Sequence, residues 1–179
     1  MLTVLSGPSG CGKTTILRKV LEDARVRRVV TATTRSPRPG EVHGRDYWFF
    51  SDAGFESLRA AGGLLESADN YGCSYGTPRS EVERPDDPRQ VVLDIDPQGF
   101  RALRKTGTPV FGIFVAPPSL EALKARLLAR GTETPDQLDR RIARAAADLE
   151  AAREYDAVVV NDRLEAAVSA VKKLMGLEA

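Results

Sequence analysis

Cysteine, histidine and tryptophan are scarce in this chain of 179 residues, which has two cysteines, one histidine and one tryptophan. The two cysteines, Cys11 and Cys73, lie far apart, and neither has a second cysteine or a histidine at metal-ligand spacing. This argues against a structural zinc site and against a disulfide framework. We therefore expect two unpaired thiols in a reducing compartment.

The sequence also lacks an excess of charge of either sign and lacks long apolar runs. Its 26 Lys and Arg residues nearly balance 25 Asp and Glu residues, which argues against a general nucleic-acid binder or a membrane-surface protein. We find neither a leader peptide nor an apolar run of about 18 residues. These features predict a cytoplasmic protein with no membrane partner, and they leave its oligomeric state open.

Short apolar segments alternate with helical patterns along most of the chain. Strands without polar alternation, separated by helices, are typical of a parallel sheet covered on both faces. With 42% hydrophobic residues, we expect a single α/β domain spanning residues 1–179. The predicted strands are Leu2–Leu5, Val29–Ala32, Gln90–Ile95, Val110–Val115 and Ala157–Val160. The predicted helices cover Lys13–Leu21 and Pro97–Lys105, one with a face of Leu120, Leu123, Leu127 and Leu128, and a last one from Leu164 to Leu174.

Residues 35–85 depart from this alternation, because they are rich in glycine, proline, arginine and aromatic residues. We expect a small, partly antiparallel insertion on a core formed by residues 1–34 and 86–179. In sheets of this type, ligands bind at the carboxyl edge of the strands, where such insertions lie.

A phosphate-binding motif occupies residues 7–14, which read GPSGCGKT and match G-x-x-x-x-G-K-[ST]. The motif follows a short strand and opens a helix, which is the context that it requires. Its backbone N–H groups can surround phosphate oxygens at the helix N-terminus. Lys13 can reach the β- and γ-phosphates of ATP, and the hydroxyl of Thr14 can bind Mg²⁺.

An acidic strand end follows in the segment VVLDIDPQG. Asp94 ends the apolar run and could bind Mg²⁺ directly or through water, or could simply be a turn residue. Asp96 either lies on the same strand face or caps the next helix, with Pro97 at the first helical position.

Arginines recur in two places that suit phosphate binding. Arg35 and Arg38 lie three residues apart in the proline-bounded loop TTRSPRPGE, which could hold a phosphate or could be a solvated basic turn. Arg126 and Arg130 precede a connection at residues 131–134, and Arg140, Arg141 and Arg144 follow it on a second predicted helix. We interpret residues 126–145 as a lid, although Arg140 and Arg144 are better explained as solvated residues paired along the helix.

A carboxylate in the insertion would distinguish guanine from adenine. Guanine offers two adjacent donors, N1–H and the 2-amino group, and the carboxylate of Glu66 could accept both. The hydroxyls of Thr31 and Thr77 could donate to the guanine O6, and the phenols of Tyr47 and Tyr75 could bind the acceptor phosphate. Spacing alone does not select these five residues.

The chain resembles guanylate kinases over nearly its whole length. The resemblance rests on GPSGCGKT, TATTRSPRPGEVHGRDYWF, LLE, YGTPRS, LDIDPQG, FVAPPSLEALKARLLARGTETPDQLDRRI and VVVND, in that order. It implies a P-loop parallel-sheet core, a small mixed α/β insertion that binds GMP, and a helical lid. It also implies binding of ATP by residues 7–14 and Asn161, and catalytic roles for Lys13, Arg35, Arg126, Arg130 and Arg141. The GMP site that it implies contains Thr31, Arg35, Arg38, Tyr47, Glu66, Tyr75, Thr77 and Asp96.

The sequence departs from the family pattern within the insertion. Ser67 follows the base-reading Glu66 where an aromatic residue is common, and Cys73 and Ser74 replace the usual Asn-Tyr pair of the turn. We expect an enzyme that phosphorylates GMP, and dGMP as a second acceptor, with ATP and Mg²⁺ by direct in-line transfer. The alternatives are a non-catalytic guanylate-kinase-like module that binds proteins, and a kinase of the same fold with a phosphorylated ribose as acceptor.

Overall fold

The computed structural model describes residues 2–70, 72–130 and 135–178. Two sheets and their connecting helices account for most of the described chain. The first half contains β1 (Leu2–Ser6), α1 (Lys13–Val20), β2 (Val26–Arg28), β3 (Ala32–Thr33), β4 (Trp48–Phe49), α2 (Asp52–Ala60), β5 (Leu64–Asn70), β6 (Cys73–Pro78) and α3 (Arg79–Val82). The second half contains β7 (Gln90–Asp94), α4 (Pro97–Lys105), β8 (Val110–Ala116), α5 (Leu120–Arg130), α6 (Pro135–Glu150), β9 (Ala157–Val160) and α7 (Leu164–Leu174).

The larger sheet has the strand order β2-β7-β1-β8-β9, and every pair in it is parallel. Its central strand, β1, is buried along its whole length, as its uninterrupted apolar sequence predicts. One face packs against α1 and α7 through Ile16, Leu17 and Val171. The other face packs against Phe100 and Leu103 of α4, together with Tyr155 and Phe114. The predicted α/β core with helices on both faces is confirmed.

The smaller sheet has the order β4-β3-β6-β5 and is mixed. Strand β3 pairs in parallel with β4, whereas β6 is antiparallel to both β3 and β5. A separate apolar cluster of Ala32, Phe55 and Leu64 lies beneath it, with Trp48, Phe50 and Leu58 packed around that cluster. The insertion therefore has its own small core, and its mixed strand pairing agrees with the predicted partly antiparallel character.

Three details of the sequence prediction are wrong. The segment Val29–Ala32 is not one strand, because β2 ends at Arg28 and Ala32 already belongs to the smaller sheet. Strand β9 is not buried on both faces: Val158 and Val160 are half exposed, whereas Val159 is buried, since β9 is the edge strand and is covered on one face only. Leu128 is 56% exposed and lies outside the apolar face that Leu123 and Leu127 form on α5.

Helix starts agree with their sequence signals. The carboxylate of Asp96 accepts a hydrogen bond from Gly99 N at 2.9 Å, and Pro97 occupies the first turn of α4, which is the capping alternative for Asp96. Helix α6 begins at Pro135. The predicted connection at residues 131–134 lies outside the described residues. Within the described ranges, no helix is both long and apolar enough to cross a bilayer.

Replacing Phe100 should test the core beneath β1 and β8. The Phe100 ring is buried and stacks on Tyr155 with centroids 4.1 Å apart. We expect Phe100→Ala to lower the free energy of unfolding by about 3–5 kcal/mol, because it removes this packing and leaves a cavity. Leu128→Ala, on the exposed side of α5, is the control and should change it by less than about 0.5 kcal/mol. Urea denaturation measures both, and equal effects would contradict the assignment of the core.

Candidate functional site

The phosphate-binding loop connects β1 to α1 and is enclosed on two sides. Gly7 and Gly12 have φ angles of 140° and 97°, in the region that favours glycine. A Cβ atom at Gly7 would lie 2.2 Å from the carbonyl oxygen of Val115, and one at Gly12 would lie 2.2 Å from Nδ2 of Asn161. Neither position can hold a side chain, so the motif's glycines are required by close contact with β8 and with the residue after β9.

Asn161 and Arg126 brace this loop from behind. Asn161 is buried, and its Nδ2 donates to the carbonyl of Cys11 at 2.7 Å. Arg126 of α5 donates to the Asn161 carbonyl at 2.8 Å and to the Cys11 carbonyl at 3.4 Å. Arg126 and Asn161 lie 115 and 150 positions after Cys11 in the sequence, and together they hold one turn of the loop.

Lys13 extends back over the loop that precedes it. Its ammonium donates to the Gly7 carbonyl at 2.6 Å and to the Pro8 carbonyl at 3.3 Å. The cation is therefore already at the mouth of the loop, where a polyphosphate could replace one carbonyl. Thr14 is exposed in the first turn of α1, whose N–H groups point into the same space.

Asp94 ends β7 beside this loop, since it is in register with Leu5 of β1. Among the described residues, no group of three or more acidic, histidine or cysteine side chains forms a ready metal cage. One hydroxyl, from Thr14, and one carboxylate, from Asp94, fit Mg²⁺ that is held mainly by substrate phosphates and water. The donor set is compatible with the predicted cofactor on these grounds.

Glu66 is a buried carboxyl group of the smaller sheet with a raised pKa. It is 7% exposed, lies on β5 opposite Thr77 of β6, and accepts a hydrogen bond from the Thr77 hydroxyl at 2.6 Å. The pKa of Glu66 is raised to about 7. Burial raises it most, the Asp96 carboxylate also raises it, and the Thr77 hydrogen bond lowers it. A Cβ at Gly99, in the first turn of α4, would lie 3.4 Å from Glu66 Oε2. The predicted Glu66, Thr77 and Asp96 are therefore neighbours.

A basic and aromatic cluster lies on β3, β4 and the loop between them. Arg35 donates to both oxygens of Glu41 at 2.9 Å, and its guanidinium lies 5.3 Å from the Tyr47 ring centroid. The Tyr47 and Tyr75 rings are 6.4 Å apart. Burial raises the pKa of Tyr47, and the charge of Asp94 raises it further. Buried Thr31 joins this cluster through its carbonyl, which accepts from Trp48 N at 2.8 Å.

Glu41 was missed by the sequence reasoning, although it ends the stretch TTRSPRPGE. Burial opposes its ionisation, but the hydrogen bond from the exposed Arg38 backbone N–H and the Arg35 guanidinium lower the pKa of Glu41 below its ordinary value. Arg35 is therefore held by a carboxylate rather than forming a solvated basic turn. The ion pair with Glu41 therefore holds the Arg35 guanidinium beside the Tyr47 ring.

Helix α6 brings two arginines into contact with residues distant in the sequence. Arg141 donates to the Ser9 hydroxyl of the phosphate-binding loop at 2.9 Å. Arg144 forms an ion pair with Asp96 at 3.2 Å. Its charge also acts on Asp148, four residues later on α6, so the interpretation as a residue paired along its own helix is incomplete rather than wrong. Asp96 lies 48 positions away in sequence, and only folding brings it near α6. Arg140 is exposed, and the side chain of Arg130 lies outside the described residues.

Known proteins resemble this chain over its whole length. The guanylate kinase family model matches residues 1–178. The chain belongs to the guanylate kinase family. The guanylate kinase of Gloeobacter violaceus is 51% identical over 97% of this chain and 86% of its own length. The guanylate kinase of Synechococcus sp. strain CC9311 is 46% identical over 98% of this chain and 93% of its own.

Solved structures give the same result for the fold. A crystal structure of guanylate kinase from Anaplasma phagocytophilum has a TM-score of 0.79 and 32% identity, covering 98% of this chain and 84% of that one. A shikimate kinase from Bacteroides thetaiotaomicron has a TM-score of 0.54 at 18% identity, which reflects a shared fold alone. Membership of the family makes this protein an enzyme that phosphorylates GMP with ATP.

The departures from the guanylate kinase pattern are accommodated within the β5–β6 hairpin. Ser74 donates from its hydroxyl to Asp69 at 2.7 Å, and its backbone N–H donates to the Thr34 hydroxyl at 2.9 Å. Cys73 is an unpaired, partly buried thiol. Ser67 pairs with Gly76, next to the Glu66–Thr77 pair. The strand pairing is therefore continuous from Glu66 to Asn70, after a register shift between Leu64 and Glu66, and Tyr75 stays beside Tyr47.

The raised pKa of Glu66 should make its burial costly at neutral pH. A carboxyl whose pKa rises on folding binds more protons in the folded state, so its contribution to stability is lost as pH rises from about 4.5 to about 7. Glu66→Gln keeps an acceptor for Thr77 without the charge. We expect its free energy of unfolding relative to the parent enzyme to rise by up to about 3 kcal/mol across this pH window. Urea denaturation at pH 4.5, 6 and 8 measures this difference, and a difference independent of pH would contradict it.

Proposed function

We propose that the loop between β1 and α1 binds the phosphates of ATP and that the GMP phosphate is brought to it by the smaller sheet. The donor site comprises Gly7, Pro8, Ser9, Gly10, Cys11, Gly12, Lys13 and Thr14, with Asn161 supporting it. A terminal oxygen of the GMP phosphate attacks the γ-phosphorus of ATP in line, the bond to the bridging oxygen breaks, and ADP leaves. The main support is the enclosed loop with Lys13 at its mouth.

The acceptor site proposed here has a base-reading part and a phosphate-binding part. The pair formed by Glu66 and Thr77 offers a carboxylate to guanine N1–H and the 2-amino group, and Asp96 lies on the same side. Thr31 is the second hydroxyl for the base. Arg35, Arg38, Tyr47 and Tyr75 bind the GMP phosphate in this proposal. In its support, the Arg35 guanidinium lies 5.3 Å from the Tyr47 ring centroid, and the Tyr47 and Tyr75 rings are 6.4 Å apart.

Charge neutralisation is the main chemical contribution of the side chains. Lys13 would move from the loop carbonyls to the β- and γ-phosphates of ATP, a short displacement for an ammonium already within 2.6 Å of the Gly7 carbonyl. Arg126, Arg130 and Arg141 would hold the transferring group from the lid side, and Arg35 from the acceptor side. Arg141 already reaches the loop through Ser9.

Thr14 and Asp94 would hold Mg²⁺, Asp94 directly or through water. When bound with ATP, the ion would neutralise phosphate charge. The chain's own part is to present a hydroxyl and a carboxylate on the two sides of the loop. We further propose dGMP as a second acceptor and a cytoplasmic location, which the two unpaired cysteines support.

The proposed division into moving parts follows the two sheets. Residues 1–34 and 86–179 form the core, residues 35–85 form the GMP-binding insertion, and residues 126–145 form the lid. The separate apolar cluster beneath the smaller sheet supports an insertion distinct from the core, but Ala32 and Thr33 already belong to that sheet, so the first boundary falls before residue 35. The contacts from α6 to Ser9 and Asp96 support closure of the lid over both substrates.

Lys13→Ala should separate catalysis from acceptor binding. We expect kcat to fall by at least about 100-fold, since the main cation at the transferring phosphate is removed, while the dissociation constant for GMP stays within about twofold. A coupled ADP-release assay and calorimetric GMP titration measure these. Lys19→Ala, an exposed lysine on the same helix paired with Glu22, is the matched control and should keep full activity. Full activity of Lys13→Ala would exclude the proposed donor site.

Replacing Glu66 should affect the choice of acceptor and not the use of ATP. In Glu66→Gln, the amide nitrogen presents a donor to the guanine donors, so we expect kcat/KM for GMP to fall by about 100-fold or more. The KM for ATP should change by less than about threefold. Rates with GMP, dGMP, AMP, UMP and ribose phosphates measure the selectivity of both enzymes. An unchanged preference for GMP over AMP in the variant would contradict the assigned base site.

A further inference from the structure

The chain crosses twice between the two sheets, and both crossings meet at one buried carboxylate. Residues 29–31 lead from β2 of the larger sheet to β3 of the smaller sheet, and residues 79–89 lead back from β6 to β7. Glu81 of α3, on the returning segment, is only 4% exposed. A buried carboxylate is costly unless it is paired and hydrogen-bonded, so its partners define what it stabilises.

The two carboxylate oxygens of Glu81 accept hydrogen bonds from three different segments of the chain. Oε2 accepts from the backbone N–H of Val30 at 3.4 Å, in the outgoing crossing. Oε1 accepts from Nε1 of Trp48 at 3.2 Å, in β4, and from Arg84 at 2.6 Å, in the returning crossing. One side chain therefore links both crossings to the edge strand of the smaller sheet.

The charges around Glu81 fix its position further. Arg27 of β2 is buried, donates to the Glu81 carbonyl, and forms an ion pair with Asp87 at 3.0 Å. Asp87 also accepts from Arg89. The carboxylate is thus set in a group of alternating charges that belongs partly to the larger sheet. Glu81 and Arg27 are buried, whereas the side chains of Arg84 and Arg89 are 43% and 47% exposed. Removing a partner of either buried group would leave a desolvated charge unpaired, which is expensive.

The two chain positions that Glu81 holds are each adjacent to a residue of the proposed GMP site. Val30 precedes Thr31, and Trp48 follows Tyr47. Trp48 N also donates to the Thr31 carbonyl at 2.8 Å. The Trp48 ring packs against the cluster of Ala32, Phe55 and Leu64. A shift of Trp48 would therefore move Tyr47 and the Thr31 backbone together.

We propose that Glu81 is a positioning residue for the acceptor nucleotide, which through Val30 and Trp48 sets Thr31 and Tyr47 at the angle that GMP requires relative to the phosphate-binding loop. This role rests on the proposed GMP site. Glu81 touches neither substrate, and its effect is specific to the acceptor because its partners lie on the GMP side of the molecule.

The test compares Glu81→Ala, Glu81→Gln and Trp48→Phe in steady-state kinetics with both substrates varied. We expect Glu81→Ala to raise KM for GMP about tenfold, since it leaves the partly buried Trp48 and Val30 donors unpaired, while KM for ATP changes less than about twofold. Glu81→Gln retains one acceptor oxygen and should recover much of the loss. Trp48→Phe keeps the ring packing without Nε1–H and should raise KM for GMP about threefold.

Coupling between the two residues distinguishes positioning from general destabilisation. In Glu81→Ala/Trp48→Phe, the effects on KM for GMP should be less than additive, because each change removes the same hydrogen bond. Since Trp48 is the only tryptophan, its fluorescence should also report GMP binding, and the Kd obtained from it should rise about tenfold in Glu81→Ala. Glu83→Ala, whose exposed side chain pairs with Arg79 on the same segment, is the matched control and should leave both KM values unchanged.

Two outcomes would overturn the proposal. One is an equal rise in KM for ATP and for GMP in Glu81→Ala, and the other is full additivity in the double variant. If Glu81→Ala does not fold, Glu81→Gln and Trp48→Phe test the positioning role without it. An unchanged KM for GMP in both variants would contradict that role. Glu66→Gln, measured in parallel, separates the two levels of inference. If Glu66→Gln leaves KM for GMP unchanged, the proposed GMP site itself is wrong. If Glu66→Gln raises KM for GMP but the Glu81 and Trp48 variants leave it unchanged, the GMP site stands and the positioning role is wrong.

Discussion

The enclosure of the phosphate-binding loop is the constraint on which the rest of this structure depends. The loop can approach β8 and Asn161 as closely as it does only because Gly7 and Gly12 carry no side chains. In return, Asn161 hydrogen-bonds the Cys11 carbonyl, so a residue after the last strand fixes a turn after the first. The order of β1, β8 and β9 in the sheet follows the same geometry, since these strands must be neighbours for their carboxyl ends to meet at the loop.

Glu66 and Glu81 are both buried carboxylates, but they differ in the number of donors that surround them. Glu66 accepts a hydrogen bond from Thr77, and its pKa rises to about 7 because it is buried and lies near the Asp96 carboxylate. It is thus under-compensated, which suits a group that awaits two donors from a ligand. Glu81 is buried to a similar degree but has Trp48, Arg84 and Val30 as donors. Its hydrogen bonds are already made, which suits a group that holds the fold in place.

Arginines are divided between the same two purposes. Arg27 is buried and bound by backbone carbonyls and Asp87, so it stabilises the junction of the two sheets. Arg35, beside Tyr47, is paired with Glu41 at the edge of the smaller sheet. Arg141 and Arg144 connect α6 to Ser9 and Asp96. Guanidinium groups suit all these places because they stay charged and donate in a planar fork.

The sequence by itself determined the parallel core, the phosphate-binding loop, the helix that begins at Pro97 and the family, because these depend on local signals: uninterrupted apolar runs, glycine spacing, a proline before a helical pattern and motif order. It misjudged Val29–Ala32 and Leu128, whose surroundings are set by distant segments. Only the tertiary structure decided that Glu66 is buried against Thr77, that Arg144 reaches Asp96 and that Glu81 joins both chain crossings. A carboxylate or guanidinium looks the same in any sequence, and its role depends on which charges and donors folding places within about 4 Å of it.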